Sequence, residues 1–194
     1  MTIADRSAPT EFSRATTLNG PGHLKALTIY LMVVAAHWAE HAVQAFQIYV
    51  LDTPRPEALG LLGEIFPFLV ESEILHWGYA LFMLGGLILM RHSFAGAARR
   101  WWTIALGIQV WHFIEHFLLF GQYWSGLHLA GAEVPTSVIQ LIVPRVELHL
   151  VYNMIVLVPL LVAVSLHWFS DEDEGAAPPP EARCACAARF AVPK

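Results

Sequence analysis

The sequence predicts an all-α integral membrane protein: a four-transmembrane-helix bundle built as a tandem duplication of a two-helix unit. Three observations predict it. First, 56% of the 194 residues are hydrophobic and only 14% are charged, where a soluble domain usually carries roughly 25% charged residues. Second, the charges lie mostly in the two tails and two short connections. The apolar stretches between them are long enough for the roughly 20 helical residues that cross a bilayer. Third, one polar motif, His-x-x-Glu-His, occurs twice inside those stretches, as His37 to His41 and as His112 to His116.

The elements can be taken in chain order. Residues 1–22 read as a flexible lead ending in the turn-prone Asn19-Gly20-Pro21-Gly22, and no cleaved signal peptide is expected there. A first span of about residues 23–51 is broken by Asp52-Thr53-Pro54-Arg55-Pro56, because proline lacks a donor and biases its predecessor away from helix. Ala58 to Phe66 reads as a short amphipathic interfacial piece. A second span, about 67–90, leads to a basic connection with Arg91, His92, Arg99 and Arg100. The third span begins at Trp101-Trp102 and ends near Gly121. The fourth covers about 136–169, long enough to tilt or to kink at Pro144. Residues 170–194, acidic and then proline-rich, are expected to form a disordered cytoplasmic tail. Its Cys184 and Cys186 read as incidental thiols, with no disulfide framework.

Basic residues flank the spans unevenly. Arg14 and Lys25 precede the first, Arg91, Arg99 and Arg100 separate the second from the third, and the other two connections share only Arg55. The positive-inside rule then places both termini and the middle connection in the cytoplasm of a bacterial-type inner membrane. No basic face or recognition motif points to nucleic acid.

Ionisable residues within a span are costly and point to function. In His-x-x-Glu-His, positions i, i+3 and i+4 share one helix face, so the first span offers His37, Glu40 and His41, and the third offers His112, Glu115 and His116. Each motif has a glutamine six residues beyond its second histidine, Gln47 and Gln122. The second span adds Glu71, Glu73 and His76, then Tyr79, and the fourth adds Glu147 and His149, then Tyr152. At about 1.5 Å per residue, His37 and His112 each lie about 18 Å from the nearest flanking basic residue, and His76 lies at a similar depth. All of these groups therefore fall in one layer. The repeat is imperfect: the two-residue spacing turns Glu147 roughly 200° from His149, unless Pro144 distorts the helix. Without that distortion Glu147 is expected to pair with Arg145 or with a carboxyl or water on another face.

A mixed imidazole and carboxylate set larger than one ion needs predicts two metal ions. Iron is preferred, with zinc, manganese or copper open. The expected ligands are His37, Glu40, His41, Glu73, His76, His112, Glu115, His116, Glu147 and His149. Gln44, Gln47, Gln122 and Asn153 are expected to orient them. Tyr79 and Tyr152 are candidate catalytic groups, supplying a proton or an electron or simply bonding a ligand. The expected function is an oxygen-dependent oxidoreductase acting on a lipid-like or other hydrophobic substrate that enters from the bilayer. A separate electron donor would dock at the basic middle connection. The same residues leave open a haem-binding electron carrier, a metal-dependent membrane hydrolase and a metal or proton transporter.

Overall fold

A computed structural model describes residues 17–20, 22–71 and 73–169, with no side-chain description for 17, 70 and 71. Every regular element among them is helical. In chain order these are α1 (His23–Tyr49), α2 (Gly60–Ile65), α3 (Pro67–Glu71), α4 (Glu73–Met90), α5 (Gly96–Ser125) and α6 (Arg145–Phe169). Four of them, α1, α4, α5 and α6, are long and apolar enough to cross a membrane. They alternate in direction and close into a ring: α5 packs on α4 and α6, and α1 packs on the same two helices.

The element ends show what the local sequence decides. The expected second span is described as two helices, α3 and α4, with Ser72 outside the described residues. The third helix is longer than its apolar core. Arg99 and Arg100 are good helix formers and belong to its first turns, and its end waits for Gly126, whose φ of 68° suits a glycine closing the helix. The fourth is shorter than expected and does not kink at Pro144. That proline opens α6 instead, its carbonyl accepting from the N–H of Leu148 at 3.0 Å. Proline has no N–H to give to a preceding turn, so residues 136–144 fold as connection, with a 3-10 turn at Ile139–Leu141. The expected tail and its two cysteines lie outside the described residues, as do residues 1–16 of the lead.

The ring has two halves. Toward the N-terminus of α1 the filling is apolar: Leu27, Tyr30, Val34, Met83, Leu87, Phe94, Trp102, Ala105, Val156 and Leu160. Small residues set the helix spacing. At Gly86 any β-carbon would run into the ring of Tyr30, whose hydroxyl donates to the Met83 carbonyl at 3.2 Å. Trp102 Nε1 donates to the Leu87 carbonyl at 2.7 Å, so both polar tips are satisfied inside the core. Toward the other end the filling is polar, with His41, Glu73, His76, His112, Glu115, His116 and His149 all buried. Meanwhile Met32, Val33, Ile114, Phe117, Val151 and Ile155 face outward and are exposed. Polar groups inside and large apolar ones outside invert the usual arrangement in water.

Candidate metal centre

Six imidazoles meet in the polar half, drawn from all four long helices. His37 and His41 come from α1, His76 from α4, His112 and His116 from α5, and His149 from α6. His149 is the hub. Its ring centroid lies 5.3 Å from His41, 5.8 Å from His76, 5.9 Å from His112 and 5.1 Å from His116. His76 also stacks on His116 at 6.0 Å.

Within each motif the helical i, i+4 spacing does what the sequence suggests. His37 and His41 bring their Nε2 atoms to 3.2 Å, and so do His112 and His116. Two imidazoles bound to one ion at about 2.0–2.1 Å have nitrogens roughly 3.0 Å apart in octahedral and 3.4 Å apart in tetrahedral geometry. Each pair therefore has the spacing that one edge of a coordination shell would need. Among the described residues no three His, Cys, Asp or Glu side chains are close enough for one ion to touch all three.

Two of the imidazoles have fixed tautomers. His149 Nδ1 sits 2.7 Å from the Arg145 carbonyl, which can only accept, so Nδ1 carries the proton and Nε2 a bare lone pair. That Nε2 is buried without a hydrogen bond. His41 Nδ1 likewise donates to Gln44 Oε1 at 2.7 Å, leaving Nε2 as the acceptor that faces His37. Orientation of a ligand by its other ring nitrogen is what metal-binding histidines usually show.

The carboxylates are spread more widely. Glu73 makes a two-pronged ion pair with Arg145, at 2.6 and 2.7 Å, and leaving the buried Glu73 charge without it would be strongly destabilising. Glu147 Oε1 accepts from Arg55 at 2.6 and 2.9 Å and from the Tyr49 hydroxyl at 2.6 Å. Without a kink at Pro144, the two-residue spacing turns it away from the face of His149. Glu40 accepts from the N–H of Leu62 at 2.7 Å, capping the first turn of α2. Gly60, with φ +75°, leaves room for that carboxylate where a β-carbon would collide with it. Glu115 alone stays with the histidines. It lines one small cavity with His112, His116, His149 and Tyr152, and its Oε1 is buried without a partner.

The two tyrosines occupy matching places. Tyr79 stacks on His37 at 3.5 Å, and Tyr152 lies 4.7 Å from His112 and accepts from Trp111 Nε1 at 2.7 Å. The glutamines also match, but not as ligand-orienting groups. Gln47 accepts from Gly60 N–H at 2.8 Å and donates to Glu64 at 3.2 Å. Gln122 accepts from Leu129 N–H at 2.7 Å and exchanges bonds with Thr136. Each one staples the connection after its own helix. Of the four, Gln44 bonds a histidine of the layer, and Asn153 lies beside it with Nδ2 buried and unpartnered.

Arg145, which the sequence offers only as a partner for Glu147, becomes a candidate site residue: it pairs with Glu73 instead, while Glu147 pairs with Arg55. One residue fixes His149 through its carbonyl and holds Glu73 through its guanidinium. The signal was present, since an arginine at the head of an apolar span must find an anion. Comparison with protein-family models, with characterised proteins and with solved structures gives no match, so the function must be read from this chain's own geometry.

Proposed function

We propose that the four long helices cross a bilayer and that the histidine layer holds two metal ions, making the chain a membrane oxidoreductase that acts on a hydrophobic substrate. The observation that carries this reading is the pair of 3.2 Å Nε2–Nε2 edges, one from each motif, flanked by His149 with its bare Nε2. One ion would sit on His37 and His41 and the other on His112 and His116, with His76 and His149 completing the set between them. The matching motifs, tyrosines and glutamines support descent of both halves from one two-helix unit. With Glu40, Glu73 and Glu147 engaged elsewhere, the donor set is rich in imidazole, which suits iron, copper or zinc better than manganese.

A redox-active ion would supply one-electron chemistry toward oxygen. The protein's own groups then have definite tasks. Gln44 and the Arg145 carbonyl hold ligand lone pairs toward the centre. Tyr152, which shares a small cavity with Glu115, would pass a proton to that buried carboxylate, and the apolar shell would exclude water. The outward apolar faces support insertion, and the basic flanks support cytoplasmic termini. Arg99 and Arg100 would receive the electron donor.

Elemental mass spectrometry of detergent-purified protein, with an absorption spectrum, tests the reading. We expect about two ions of iron or copper per chain and no Soret band. A Soret band would replace this centre by haem, and a metal-free protein after reconstitution would leave a structural polar network.

A further inference from the structure

Directly beside the histidine layer, toward the apolar half, lies a small cavity whose polar lining comes from every long helix. Trp38 is on α1, Tyr79 on α4, Gln109 and His112 on α5, and Asn153 on α6. It has room for about one water-sized molecule. Three nitrogens of its lining side chains, Trp38 Nε1, His112 Nδ1 and Asn153 Nδ2, are buried without a hydrogen-bond partner. His112 itself is only 4% exposed. Buried polar groups are normally paired, so three unpaired ones around one small space point to a missing partner.

The chemistry of the three nitrogens is one-sided. An indole N–H can only donate, and so can an amide nitrogen. His112 joins them whenever its Nε2 serves as a metal ligand, because the remaining ring nitrogen then carries the proton. Tyr79, stacked on His37, adds a hydroxyl on the same wall. A partner for this set must accept several hydrogen bonds.

Charge leads to the same kind of ligand. Two divalent ions among neutral imidazoles would bring four positive charges into a low-dielectric interior. Glu73 is already neutralised by Arg145, and Glu147 by Arg55. Glu40 is held by α2, so Glu115 is left as the carboxylate beside the centre. Anions from outside the chain must supply the remainder.

We propose that this cavity binds one halide ion, held by Trp38 Nε1–H, His112 Nδ1–H and Asn153 Nδ2–H. The need for added negative charge rests on the metal reading above; the three unpaired donors do not. Two measurements on the full chain separate the ideas. Bromide titration of the full chain, followed by calorimetry, should give an affinity that falls at least tenfold in Trp38→Phe and in Asn153→Leu. Metal content should stay constant in Trp38→Phe. Trp77→Phe should leave the affinity unchanged, since Trp77 also has an unpaired Nε1 but stacks on Phe120 away from the cavity. Equal bromide affinity in all three variants would overturn the anion site while leaving the metal centre standing. Crystals grown in bromide, with or without metal, provide the second measurement. Anomalous scattering within hydrogen-bond distance of Trp38 Nε1 would support the site even if no metal binds. Bromide absent from the cavity at saturating concentration would overturn it.

Discussion

On α1, His37 and His41 hold their Nε2 atoms 3.2 Å apart while Glu40, one residue before His41, turns outward to the N–H of Leu62. On α5, His112 and His116 make the same 3.2 Å contact, but Glu115 stays buried among the histidines with its Oε1 unpartnered. Spacing, residue types and helix direction match, so the helix alone cannot account for the different fate of the glutamates. The difference lies in the connection after each helix. Beyond α1 the chain returns as α2, whose first-turn N–H groups have no partner within their own helix and take up Glu40 and Gln47. Beyond α5, residues 126–144 fold largely as irregular connection stapled by Gln122, and nothing there competes for Glu115. The i, i+4 pair is thus a local property, whereas the i+3 carboxylate goes to whichever donors the tertiary structure brings near.

The largest effect that could break this comparison comes from deleting one imidazole pair. His37→Ala with His41→Ala, and separately His112→Ala with His116→Ala, should each lower bound metal from about two ions per chain to about one, with membrane insertion intact. Retention of both ions in either double variant would remove the pairs as ligands. A smaller effect sharpens the contrast between the glutamates. Glu115→Gln should weaken metal affinity by about 10–100-fold, the usual consequence of disturbing a group that supports the ligands. Glu40→Gln should leave affinity within about twofold and instead raise proteolysis at residues 59–66. Equal loss of metal in both would mean that the two carboxylates act alike once metal is present. The smallest effect is expected where the halves agree. Gln47→Leu and Gln122→Leu each leave backbone groups of an outer connection unpaired, and each should cost about 1–3 kcal/mol. Thermal unfolding in detergent would read this, with metal stoichiometry unchanged. A loss of metal in either variant would restore the glutamines as ligand-orienting groups.

Much of the fold is legible residue by residue. The apolar runs, Pro54 and Pro56 after α1, and the basic connection before Trp101 locate all four long helices. Where the structure departs from expectation, a single residue explains it. Pro144 starts α6 and does not kink a longer span, and the absence of that kink leaves Glu147 facing Arg55 and Tyr49. Gln47 and Gln122 are legible as a repeated pair but not as staples, because their partners Gly60 and Thr136 carry no side-chain signal for the bond. Trp38 gives no hint of a cavity, since an indole within a span is ordinary until its nitrogen proves to be unpaired.

What the sequence determined by itself is periodic. Helical spacing of 3.6 residues per turn puts His37 with His41 and His112 with His116 on single faces, and run length and apolarity set which helices can span a bilayer. What only the tertiary structure decided is partnership: Glu73 with Arg145, Glu147 with Arg55, Glu40 with α2, and His149 at the centre of rings from α1, α4 and α5. Periodicity comes from bond geometry within one helix. Partnership is a competition among donors separated by as many as 98 residues along the chain, and only the packed bundle brings those donors within reach.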